Sequence, residues 1–119
     1  MEYVQPYENL LAGFQSHVVT REIVVAPNQE LSLGQVFELN DDGQAVAPAD
    51  PFDATKAFGI MADAIATDGI AKKSVYYAAG EFNKHKVILP AGANFKEYDH
   101  SLRKIGIFLN DVVKAEEVY

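Results

Sequence analysis

The sequence predicts a mostly-β domain with one short helix, folded as a bent ribbon of sheet or a small barrel, behind an extended N-terminal arm. Three observations carry this prediction. Short runs rich in β-branched and aromatic residues recur along the chain, Gly, Pro and Asp clusters separate them, and a single late segment has helical spacing.

The elements follow in order. Residues 1–16, "MEYVQPYENLLAGFQS", keep neither a period of 2 nor one of 3.6, yet carry Tyr3, Val4, Pro6, Tyr7, Leu10, Leu11 and Phe14. A leader this apolar is not a solvated tail. It either packs on its own domain as an edge segment or docks on a partner, for instance by adding a strand to a foreign sheet edge. Residues 17–119 form the body. "HVVTREIVVA", 17–26, is β-branched and closed by Pro27, so it reads as a strand. "ELSLGQVFEL", 30–39, reads as one or two short strands broken at Gly34, and "NDDG", 40–43, as a tight turn. The small residues and prolines of "QAVAPADPFDATK", 44–56, predict an ordered loop.

"AFGIMADAIA", 57–66, is ambiguous: its alanines favour helix, but Gly59 and the following "TDG" favour a strand, which is the expectation adopted. "KKSVYYAAGEF", 72–82, is a strand, and "KVIL", 86–89, is another that Pro90 ends. "YDHSLRKIG", 98–106, is the helix, capped by Asp99 or Ser101, with Leu102 and Ile105 at i and i+3 and Gly106 as its stop. "IFL" is a last strand, followed by the charged segment "NDVVKAEEVY", 110–119.

At 119 residues the chain has the commonest single-domain size. A chain this long buries about 65% of its unfolded surface, enough for a core without staples. Zero cysteines exclude a disulfide framework, a thiolate metal site and a cysteine nucleophile. No uncharged stretch approaches the ~18 residues that cross a bilayer, so no membrane partner is expected. The opening "MEYVQPYENL" has acids and a proline where a secretory signal has lysines and an apolar run, so an intracellular product is expected. With 17 acids against 10 bases, a net charge of −7, the chain is poorly suited to displacing counterions from phosphates, and no nucleic-acid partner is expected.

The densest set of chemistry-bearing residues is "YYAAGEFNKHKVILPAG", 76–92, with Glu81, Asn83, His85 and two lysines between apolar runs. A metal would need Glu81 and His85 to converge, with Asp99 and His100. Their four-residue separation does that on a helix but not along a strand, so no metal or other cofactor is expected. General acid–base work would need Asp63, Glu81 or His85 displaced from its ordinary pKa. A lone acid in a strand more often faces solvent. Ser16, Ser32, Ser74 and Ser101 lie in no nucleophile elbow, and "LSLGQ" and "AAGEF" hold single glycines rather than a phosphate-cradling loop. The remaining reading is structural. Gly80 ends a strand, Glu81 and Asn83 bind the turn backbone, Phe82 returns to the core, and residues 84–86 form an exposed bend.

These residues also resemble a known family. "AAGEFNKHKVILPAGA", 78–93, followed by a helix and "LRKIGIFL", 102–109, looks like the C-terminal half of lambda-type phage head decoration proteins. There a Gly-Glu-Phe-Asn turn leads to a strand ending in Leu-Pro and then to a closing Gly-Ile-Phe. "ENLLAGFQSHVVTREIVVAPNQELSLGQVF", 8–37, is similar to the family's opening, and "APADPFDATKAFGIMADAIAT", 47–67, to its centre. The resemblance implies a β-clip fold and a homotrimer on the outer surface of an icosahedral head at three-fold positions. It also implies an N-terminal arm pairing with strands of the major capsid protein, and no enzymatic activity. Such a protein is assembled in the host cytoplasm and clamps the expanded shell against packaged DNA. Two other readings stay open at this stage: a fibre-base or adhesion module of the virion, and a small β-fold enzyme.

Overall fold

The computed structural model describes residues 18–110. It contains eight strands and one α-helix: β1 (Val19–Val25), β2 (Glu30–Leu31), β3 (Val36–Leu39), β4 (Ala45–Val46), β5 (Gly59–Met61), β6 (Ile65–Ala66), β7 (Lys72–Asn83), α1 (Phe95–Lys104) and β8 (Ile107–Asn110), with a 3-10 turn at Ala54–Lys56. Among these described residues the fold is mostly β with one α-helix, as the sequence predicts. The leader 1–16, His17 and the segment 111–119 lie outside the described residues.

The main sheet runs β1-β4-β3-β5-β7-β8, and β1 also pairs with β7, so five of its strands form a partly closed ring. The long β7 organises it. Its first part pairs antiparallel with β1 from Lys72↔Val25 to Ala79↔Val19, and Tyr76 and Tyr77 pair with Met61 and Ile60 of β5. Between β1 and β4 the ring closes through the pair Val25↔Ala45, reinforced by Ala26 N donating to Ala45 O at 3.0 Å. β2 and β6 form a separate two-stranded antiparallel sheet.

Alternation along the strands divides the apolar residues between two cores. Phe37, Met61 and Tyr76 point into the ring with Val25, Leu31 and Ala45. Their chain neighbours Val36, Ile60 and Tyr77 point the other way, where Tyr98 and Leu102 of α1 and Ile107 and Leu109 of β8 cover them. The central strands are thus apolar on both faces, which is why "VF", "IM" and "YY" do not alternate with polar residues.

β7 changes partner at its far end. Between Thr20↔Tyr77 and Val19↔Ala79 the register slips, leaving Ala78 bulged. Beyond it Gly80 has φ +142, and a Cβ there would lie 3.2 Å from Val18 Cγ2 and from Phe82 Cζ. From Gly80 to Asn83 the strand pairs parallel with β8. Gly80 therefore turns β7 from one partner to the next rather than ending it, a correction to the expectation that the strand stops there.

Three other expectations are corrected. "AFGIMADAIA" is not one strand. It breaks after Met61, and Asp63, whose Oδ1 accepts from Ala64 N at 2.9 Å, holds a bend that sends β5 and β6 into different sheets. "KVIL" is not a strand. Only Ile88 bridges, in parallel to Gln35, and Pro90 has no N–H with which to extend the pairing.

The helix begins at Phe95, earlier than expected, because Asn94 caps it by accepting from Glu97 N at 3.2 Å. Its buried pair is Tyr98 and Leu102, one i, i+4 step, whereas Ile105 is 41% exposed at the cap. Glu97 in the first turn and Arg103 and Lys104 in the last complement the helix dipole. The tight turn at 40–43 holds as expected, with Asn40 Oδ1 accepting from Asp42 N and Gln44 N, both at 2.9 Å.

Candidate functional site

The polar corner after Gly80 is built by Asn83. Its Oδ1 accepts from His85 N and its carbonyl from Lys86 N, both at 2.9 Å, so one residue closes the 84–86 turn. Glu81 is exposed and accepts from Asn110 Nδ2 at 3.3 Å, a contact from β7 to β8. Phe82 is half-buried, its ring centroid 5.0 Å from that of Tyr77. The Lys84 ammonium lies over the Phe95 ring at 5.5 Å, while His85 and Lys86 are exposed. The corner thus ties β7, β8 and the start of α1 together.

The candidate catalytic and metal residues are dispersed. Asp63 is exposed at its bend, and Asp99 pairs with Arg103 at 3.2 Å one helical turn away. Glu81 and His85 belong to the corner, whereas Asp99 and His100 belong to α1. Among the described residues no three His, Cys, Asp or Glu side chains come together as a metal-binding group.

The displaced titrations lie elsewhere, at the 3-10 turn. Asp53 caps that turn, with Oδ1 accepting from Thr55 Oγ1 at 2.6 Å and from Thr55 N at 3.0 Å, and these bonds hold its carboxyl below the usual range. Desolvation pushes the Glu38 carboxyl up, with nearby Asp53 adding to that and Lys56 opposing it. The Tyr98 hydroxyl is raised by burial first, then by the charges of Glu38, Asp53 and Glu97. Its oxygen is buried with no hydrogen-bond partner. The "DATK" cap was the readable signal for this group. The approach of Glu38 to it was not readable.

An apolar concavity lies next to the corner. It has a volume of about 380 Å³, with Leu33, Ile60, Tyr77, Phe82 and Val87 in its lining and Asn83 and Lys86 at its polar edge. Loop 84–88 forms one wall because it is fastened to the chain around Gly34. Ile88 N donates to Gly34 O at 2.8 Å, and Val36 N donates to Ile88 O at 3.0 Å. Leu33 and Ile88 remain 58% and 45% exposed beside it. Asp63, Glu81 and His85, the candidate acid–base residues, are not among the residues that line it.

All of the residues expected to bind a partner, Tyr3, Val4, Pro6, Tyr7, Leu10, Leu11 and Phe14, lie outside the described part of the chain. No curated protein matches the chain. The family described as bacteriophage lambda head decoration protein D matches over residues 1–107, the leader and nearly all of the described β domain together. A mostly-β, one-helix, partly ring-closed domain preceded by that leader therefore belongs to the phage lambda head decoration protein D family.

Proposed function

We propose that this chain is a cementing protein of a phage head, binding the major capsid protein as a homotrimer at three-fold positions on the outer surface. In this reading the β domain, a β-clip ribbon spanning 17–119, supplies shape and trimer contacts. The arm, 1–16, supplies the grip through Tyr3, Val4, Pro6, Tyr7, Leu10, Leu11 and Phe14. The protein carries no catalytic step and no cofactor, assembles in the host cytoplasm, and stabilises the expanded shell against packaged DNA. The family match carries the proposal, because it includes the leader as well as the folded domain.

The energetics support it. A segment that orders on binding sacrifices about 2–5 kcal/mol of interaction energy. Aromatic anchors such as Tyr3, Tyr7 and Phe14 offset that loss, because a few buried aromatics carry most of the energy of such contacts. In a trimer, one bound arm holds the others at high effective concentration, which raises avidity by roughly 10² to 10⁴. An acidic surface, −7 overall, suits a protein whose partner is a protein shell rather than nucleic acid.

The test is reconstitution on expanded heads that lack a decoration protein, read by electron microscopy, with the mass in solution from light scattering. Full-length protein is expected as a trimer covering the three-fold positions. Protein lacking residues 2–14 is expected to remain a trimer and to leave the heads bare. Normal decoration by the truncated protein overturns the arm's role. Binding confined to one vertex or to the tail replaces the cementing role with that of a fibre-base module.

A further inference from the structure

We propose that Asp68, in the loop between β6 and β7, is a site of spontaneous conversion to isoaspartate, and that the fold shields the chain's other Asp-Gly pair. The sequence offers two such pairs, Asp42-Gly43 and Asp68-Gly69, and no Asn-Gly. Glycine matters here because, without a Cβ, its nitrogen can fold back onto the preceding carboxyl. The two pairs are alike in sequence, and all four residues are exposed. Exposure therefore does not separate them.

Hydrogen bonding does. Asn40 binds three successive amides of its turn: its carbonyl accepts from Gly43 N, and its Oδ1 accepts from Asp42 N and Gln44 N, all at 2.9 Å. The Gly43 nitrogen must lose its proton to attack, and that bond holds the protonated form. At the other pair the sense is reversed. Asp68 O accepts from Asn28 N at 2.8 Å, which favours the negative charge that the Asp68-Gly69 amide acquires on deprotonation. Gly69 N itself has no hydrogen-bond partner among the described residues, and neither has the Asp68 side chain. Ile70 beyond it is 69% exposed, so the loop is open on that side.

The chemistry needs only water. Gly69 N attacks Cγ of the protonated Asp68 carboxyl. The N–Cγ bond forms, the Cγ–OH bond breaks, and the amide proton leaves with that hydroxyl as water. Water then opens the resulting five-membered imide at one of its two carbonyls. Opening at Cγ restores aspartate. Opening at the main-chain carbonyl carbon leaves the chain running through Cγ, with that carbonyl freed as a pendant carboxylate. Mass and charge are unchanged relative to aspartate, but the main chain gains one carbon. The oxygen that ties Asn28 to the strand leading into β7 no longer belongs to the main chain. None of this depends on the cementing role.

The full-length protein is aged in neutral buffer, folded and in urea. Isoaspartate is located by electron-transfer fragmentation and counted by labelled methyl transfer from an isoaspartyl methyltransferase. In the folded protein, conversion at Asp68 is expected to exceed that at Asp42 several-fold, because Gly43 N must first give up its bond. In urea the two sites should converge. A Cβ at Gly69 meets nothing within 4 Å, so Gly69→Ala is accommodated and should suppress conversion at Asp68. Amide exchange gives a second readout, with Gly69 expected to exchange faster than Gly43. Conversion at Asp42 equal to or above that at Asp68, a ratio unchanged in urea, undiminished conversion in Gly69→Ala, or the reverse order of exchange overturns the proposal.

Discussion

Gly34 and Lys86 meet backbone to backbone: a Cβ on Gly34 would stand 2.6 Å from the Lys86 carbonyl oxygen. That oxygen belongs to the main chain and cannot swing aside. Gly34 also has φ +86, where side chains are strained. Gly34→Ala is therefore expected to cost at least about 1–3 kcal/mol from the backbone conformation alone, with the clash in addition. Urea denaturation measures the loss, and an unchanged midpoint would show that loop 84–88 is not held here.

Ile60 and Met61 are neighbours in β5 that serve different cores, at 1% and 0% exposure. Each mutation to alanine is expected to destabilise by about 2–5 kcal/mol. Near-ultraviolet circular dichroism and aromatic resonances should then separate them. Ile60→Ala should perturb Tyr77 and Tyr98, whereas Met61→Ala should perturb Phe37 and Tyr76. The same set of signals moving in both variants would contradict the division into two cores.

At the start of the helix, Asn94→Ala removes the side-chain acceptor for Glu97 N and should cost about 0.5–2 kcal/mol, with Asn94→Ser restoring most of it. Arg103→Ala, which breaks the exposed i, i+4 pair with Asp99, should change stability by only about 0.3–0.5 kcal/mol, and less in high salt. Thermal melts at two salt concentrations distinguish the two effects. A larger loss at Arg103 than at Asn94 would reverse the assignment of the cap.

Glu38 sets a pH dependence whose sign is opposite to that of a salt-bridged acid. Desolvation raises its folded pKa above the ordinary 4.5, so the folded state holds the proton more tightly than the unfolded state. Its contribution is fully present below pH 4.5 and is lost as pH rises through the higher folded value. Asp53 acts the other way below its ordinary 3.8, where its bonds to Thr55 are lost as it protonates. Glu38→Gln should flatten the stability–pH curve just above pH 4.5 and leave the acid limb in place. Retention of the full slope would place its origin on another group.

Glu81→Ala removes one exposed contact to Asn110 and should change stability by no more than about 0.5 kcal/mol. Asn83→Ala frees the amide of His85 and should loosen the turn more, seen as faster hydrogen exchange at His85. Equal effects would mean that Asn83 does not organise the corner.

The β character, most turn positions and the late helix were legible because they are local. β-branched runs, an Asn-Asp-Asp-Gly turn and a capped amphipathic segment act through neighbours within a few residues. The resemblance to head decoration proteins was legible for the same reason, in the order of short motifs such as "AAGEFN" and "IGIFL". Three features belonged to the tertiary structure alone. Which residue of "VF", "IM" and "YY" enters which core depends on the side of the sheet that α1 and β8 cover. Whether "KVIL" becomes a strand depends on a free edge being within reach, and only Ile88 finds one. The groove beside Gly34 exists because residues about fifty positions apart close upon each other, as Gly34 and Lys86 do. Contacts of that separation are set by how the whole chain closes, and no local pattern of residues encodes them.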